Sequence, residues 1–104
     1  MKPNSINILG KEYSVTYVDK PSDVDVFKRS SLWGQVDPWT HSIRVYAPEG
    51  FSDEEILETI IHEVLEVIGE KLRLESFSDH DNHDELQLVA LALADTMIRN
   101  DWLA

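Results

Sequence analysis

At 104 residues, with 42% apolar and 28% charged side chains, the chain is the size of one globular domain with a single modest core. It has no cysteine, which excludes disulfides and thiolate metal sites, and no apolar run near the roughly 18 residues of a membrane span. Twenty acidic residues against nine basic ones give a formal charge of −11, a balance that repels phosphate backbones and anionic membranes and argues against nucleic-acid binding.

The expectation is therefore one domain over residues 1–104. Its expected place is the cytoplasm, because the opening "MKPNSINILG" lacks the apolar h-region of a secretory signal and a cysteine-free chain suits a reducing compartment. The acidity reads first as solubility. A sharper alternative is an acidic decoy that binds a basic partner.

The first half reads as strands. "SINILG" and "KEYSVTYV" flank Gly10, with Tyr13, Val15 and Tyr17 alternating, as in a hairpin. "DKPSDVDVFKRSS" is rich in turn formers and reads as a loop or one short irregular turn. A second hairpin follows: "LWGQVD", a turn through Pro38, Trp39 and Thr40, then "HSIRVYA", which Pro48 ends because proline cannot donate to a ladder.

The second half reads as helices. Ser52 and Glu55 form a capping-box pattern, with Asp53, Glu54 and Glu55 in the first turn. From Ile56 to Leu72 the apolar positions fill about half of a helical wheel. "LESFSDHDNH" reads as a loop. A last helix from Asp84 to Arg99 is apolar nearly all round and is expected to be the most buried element. The fold class is α+β: an antiparallel sheet of three to four strands followed by two packed helices, the first of them central.

The first helix contains "IIHEVLEV", one residue away from the His-Glu-x-x-His of zinc proteases. His62 and Glu66 lie about 40° apart on the wheel, opposite the core stripe, with Glu63 at its border. They have a plain reading as an exposed i,i+4 pair. They also have a chemical one, because zinc accepts both imidazole nitrogen and carboxylate oxygen, and a carboxylate beside a ligand can take a proton from bound water. Further ligand candidates crowd "HDNHDEL": His80, Asp81, His83, Asp84 and Glu85, which also read as the capping residues and first-turn acids of a helix. Trp33, Trp39 and Trp102 read as core and surface cover, with Trp39 in a turn as an alternative partner contact. His41 reads as an exposed polar residue before its strand.

"WGQVDPWTHSIRV", the capped "TIIHEVLEV" helix and a closing helix with an acid in its first turn together resemble a family. It is that of small phage and mobile-element proteins related to minimal gluzincin zinc metallopeptidases, akin to the peptidase domain of ImmA/IrrE proteins. The resemblance spans about residues 5–100. It implies a minimal zincin-like fold with zinc as cofactor, His62 as the first metal ligand, Glu63 as the catalytic base and Glu85 as the glutamate ligand of the next helix. It also implies a peptide or protein partner along an edge strand Ser42–Tyr46, a mode in which an unpaired edge accepts an added strand.

Glu66 stands where the family has its second histidine. That exchange lowers the net charge of a loaded site by one unit, so a bound water would be less acidic. It also crowds carboxylates, which pushes at least one of them toward protonation. His83, or His80, would restore the histidine count as an additional ligand. The expectation is a degenerate metallopeptidase-like protein, either metal-free or weakly metal-binding, serving as a binding or regulatory module. The alternative is an active zinc peptidase that uses Glu63.

Overall fold

The computed structural model describes residues 2–20, 23–24, 33–78 and 84–102. Within them the order is β1 (Ser5–Ile8), β2 (Lys11–Val18), β3 (Gly34–Asp37), β4 (Ser42–Tyr46), α1 (Asp53–Leu72), α2 (Glu75–Ser78) and α3 (Asp84–Arg99). The α+β class and both hairpins stand as expected. No helix among the described residues is long and apolar enough to cross a membrane.

The β1–β2 turn follows directly from local chemistry. Leu9 (φ 51°) and Gly10 (φ 88°) both adopt positive φ, the signature of a two-residue type I′ loop, whose twist matches that of the strands. Asn7 Oδ1 accepts from the Gly10 N–H at 2.9 Å and braces the turn.

The sheet is not wholly antiparallel. Its order is β1-β2-β4-β3, and β2 pairs with β4 in parallel, Val15 opposite Ile43 and Tyr17 opposite Val45. The chain leaves β2, crosses to the far side for β3, and returns through the Pro38–Thr40 turn to fill the gap with β4. Strand Ser42–Tyr46, expected at an edge, is therefore hydrogen-bonded on both sides, and among the described residues the strand at that edge is β3. In the long connection before β3, Asp23 N–H donates to Lys20 O at 3.0 Å, and Val24 is buried. The remainder of "DKPSDVDVFKRSS", residues 21–22 and 25–31, lies outside the described residues.

Helix α1 begins on its capping box: Ser52 Oγ accepts from the Glu55 N–H, and Glu55 Oε1 accepts from the Ser52 N–H, each at 3.2 Å. It ends where Arg73 turns left-handed (φ 56°). Two apolar stripes explain its central position. Ile56, Ile60 and Val67 join Tyr13, Val15, Ile43 and Val45 in the core against the sheet. Leu57 and Ile61 join Ala90 and Ala94 of α3 in a second core.

Helix α3 packs on the outside of α1 and so has one covered face. Only Leu86, Ala90 and Ala94 are buried there, while Leu88 is 66% exposed and Leu91 and Leu93 are also exposed. This corrects the expectation that α3 is the most buried element; that place belongs to α1, which has neighbours on two sides. A further correction concerns "LESFSDHDNH", whose first part is the short helix α2 rather than loop. Gly69 permits it, since a Cβ there would meet Phe77.

Candidate metal centre

Helical spacing puts Glu58, His62 and Glu66 on one face of α1 and turns Glu63 toward the sheet. Glu63 is buried, 3% exposed, the only charged residue type so placed among the described core residues. The fit depends on Gly34 at the start of β3. A Cβ there would stand 2.7 Å from Thr59 Cγ2 and 3.0 Å from Glu63 Oε1, so the glycine makes room for the carboxyl under the edge strand.

Burial pushes the Glu63 carboxyl well above the ordinary carboxylate range. The neighbouring Glu66 charge and a carboxyl–carboxyl contact with Glu66 push in the same direction, and a hydrogen bond from the Val36 backbone opposes them. Glu63 Oε2 is buried without a hydrogen-bond partner. An orphaned buried carboxyl oxygen is costly, which makes this the polar atom whose burial most needs an explanation.

His62 is held from α3. Its Nδ1 lies 2.6 Å from Gln87 Oε1, and Gln87 Nε2 donates to Glu58 Oε1 at 2.5 Å. An amide oxygen only accepts, so Nδ1 carries a proton in this contact. A polar group bonded to the second ring nitrogen is the usual way a metal-binding histidine is oriented.

His62, Glu63 and Glu66 offer ligand atoms that all lie within 4.8 Å of one another. Ligands about 2.0–2.1 Å from a tetrahedral zinc stand roughly 3.4 Å apart, so modest rotamer adjustment would close this set on an ion. The donor set of one imidazole and two carboxylates suits zinc and other divalent transition ions, and the orphaned Oε2 gives such an ion a partner to complete. Neither a family model nor any curated protein or solved structure matches the chain.

Of the residues singled out in the sequence, His62, Glu63 and Glu66 are thus brought together. Glu85 is not among them: it stands exposed in the first turn of α3, and the α3 residue against His62 is Gln87. Two residues of helix separate these side chains by about 200°, so both cannot face α1. Asp84 is exposed in the same turn. His80, Asp81 and His83 lie outside the described residues. His41 packs its ring against Tyr13, 5.1 Å between centroids, and Trp39 is 94% exposed at the β3–β4 turn.

Gln87, Glu58 and Gly34 were not singled out in the sequence. Glu58 lies one turn before His62 on the same face, and Gln87 is a polar residue bordering the Leu86–Ala90–Ala94 stripe. Those two patterns are the signals that could have found them. With Trp33 they line a cavity of about 440 Å³ beside His62 and Glu63.

Proposed function

We propose that this chain is a metallopeptidase-like binding module in which His62, Glu63 and Glu66 hold a divalent ion, zinc by donor type, next to a peptide-accepting edge. The reading is carried by the convergence of these three side chains within 4.8 Å. The edge is β3 (Gly34–Asp37), the outer strand adjoining the cavity, which can add an extended segment of a partner.

Binding is favoured over turnover by the same geometry. A catalytic zinc takes three protein ligands, and hydrolysis needs a separate base. Among the described residues three groups converge, so Glu63 serves either as ligand or as base. Burial and the neighbouring Glu66 raise its pKa, which favours the protonated form and works against a role as base in the absence of an ion. A bound zinc ion would supply Lewis acidity toward water and substrate carbonyl oxygen.

The alternative of an active peptidase using Glu63 is favoured by one observation, the orphaned Oε2 in a residue that lines the cavity. Zinc titration of chelator-stripped protein by calorimetry tests the metal. We expect one equivalent, lost in His62→Ala and bound more tightly in Glu66→His. No uptake by the unmodified chain ends the reading. Cleavage of an unstructured protein by the zinc-loaded chain, lost in Glu63→Gln, would move the conclusion to catalysis.

A further inference from the structure

The cavity beside the metal cluster is built from more than metal ligands. Besides His62 and Glu63 it is lined by Trp33, Gly34, Glu58, Thr59 and Gln87. Its volume of about 440 Å³ falls within the roughly 300–1,000 Å³ of ligand pockets. Trp33 is 57% exposed yet firmly held, stacked on Phe51 at 5.3 Å and edge-on to Tyr46 at 5.5 Å. Glu58 accepts from Gln87 through Oε1, and no other hydrogen bond engages it among the described residues. Glu63, 3% exposed, lines the same cavity.

We propose that this pocket receives an arginine side chain from an extended partner segment laid along β3. The inference rests on the reading of β3 as a docking edge, and it names the partner's chemistry. A guanidinium is planar, stacks on an indole and presents five donors in a fork. Trp33 supplies the aromatic surface and Glu58 the carboxylate. The chain's charge of −11 favours a basic partner over an acidic one. Neither Trp33 nor Glu58 belongs to the three-residue metal cluster, so the pocket can be tested apart from the ion.

The experiment compares a labelled pentapeptide, acetyl-Ala-Ala-Arg-Ala-Ala-amide, with its citrulline analogue, which keeps the shape and loses the charge. Both are titrated by fluorescence anisotropy against the chelator-stripped and the zinc-loaded chain. The arginine peptide is expected to bind about tenfold or more tightly than the citrulline peptide. Glu58→Gln should remove most of that preference. Trp33→Ala should weaken the arginine peptide more than the citrulline one, with circular dichroism confirming that both variants are folded.

Equal binding of the two peptides, a preference that survives both substitutions, or no binding of either peptide at millimolar concentration would overturn the proposal. The parallel zinc titration separates the two claims. Zinc uptake without an arginine preference sinks the pocket alone, and an arginine preference without zinc uptake sinks the metal centre alone.

Discussion

His62 Nδ1 and Gln87 Oε1 meet at 2.6 Å across the α1–α3 interface, and that contact joins the His62–Glu63–Glu66 cluster to the helix that builds the second core. Gln87 orients the His62 ring while its amide nitrogen is itself held by Glu58. The imidazole is oriented before any ion arrives. Gln87→Leu keeps the bulk of the side chain and removes the acceptor, so zinc affinity should fall by roughly 10- to 100-fold. Competition with a chromophoric chelator measures this. An unchanged affinity would mean that the ring is oriented by other contacts.

The buried carboxyl of Glu63 makes stability depend on pH in the ion-free protein. Its folded pKa is raised above the ordinary value of about 4.5, so the folded state binds more protons than the unfolded state between the two pKa values. The stabilising contribution is full below the unfolded pKa and is lost as pH rises through the folded one. Chelator-treated protein should therefore lose stability as pH climbs from mildly acidic to neutral and above. Glu63→Gln, which mimics the neutral acid, should flatten that slope and raise the neutral-pH stability. Urea denaturation at several pH values checks it; a slope unchanged by the substitution would contradict the assigned cause.

Two glycines carry packing that a methyl group would break. At Gly69 a Cβ would collide with the Phe77 side chain and stand 3.0 Å from its carbonyl carbon, part of the backbone, which cannot swing aside. Gly69→Ala should therefore lift α2 off α1 and cost about 1–3 kcal/mol by overpacking. At Gly34 the close neighbours are side-chain atoms of Thr59 and Glu63, which can give way more cheaply. Gly34→Ala should therefore cost less stability than Gly69→Ala but disturb zinc binding more, because Glu63 is what it displaces. Paired urea and zinc titrations of the two variants should show that crossed pattern.

The elements that were legible in the sequence are those specified by contacts close along the chain. Ser52 and Glu55 announced the start of α1, and Gly10 announced the first turn, because each acts within four residues. The order of the strands was not legible. Tyr13, Val15, Tyr17, Ile43 and Val45 alternate identically whether β2 and β4 run parallel or antiparallel, and period two records only which face is buried. The burial of α3 was misjudged for a related reason. Apolar residues around a whole helix imply neighbours on every side, and α3 has its main neighbour, α1, on one.

The metal cluster divides the same way. His62, Glu63 and Glu66 share one helix, so their spacing placed them together in advance. The partner from α3 could not be read, because its identity depends on how α3 is rotated against α1. Leu86 and Ala90 set that rotation by packing inward, and they carry Gln87 to His62 while Glu85 is left exposed.

Glu66 is where stability and metal binding should pull apart. Its charge is one of the causes that raise the Glu63 pKa, and its carboxylate is one of the three offered ligands. Glu66→Gln removes the repulsion and adds an amide donor able to reach a carboxylate, so the ionised form of Glu63 should become easier to reach. In ion-free protein the loss of stability with rising pH should then be shallower, a gain of about a few tenths of a kcal/mol at and above neutral pH. Zinc affinity should move the other way, because an amide oxygen is a far poorer ligand for this ion than a carboxylate. A residue kept only for an exposed helical face would change neither quantity appreciably. Loss of zinc affinity together with a gain in ion-free stability is the outcome expected of a ligand held in place at a cost to the fold.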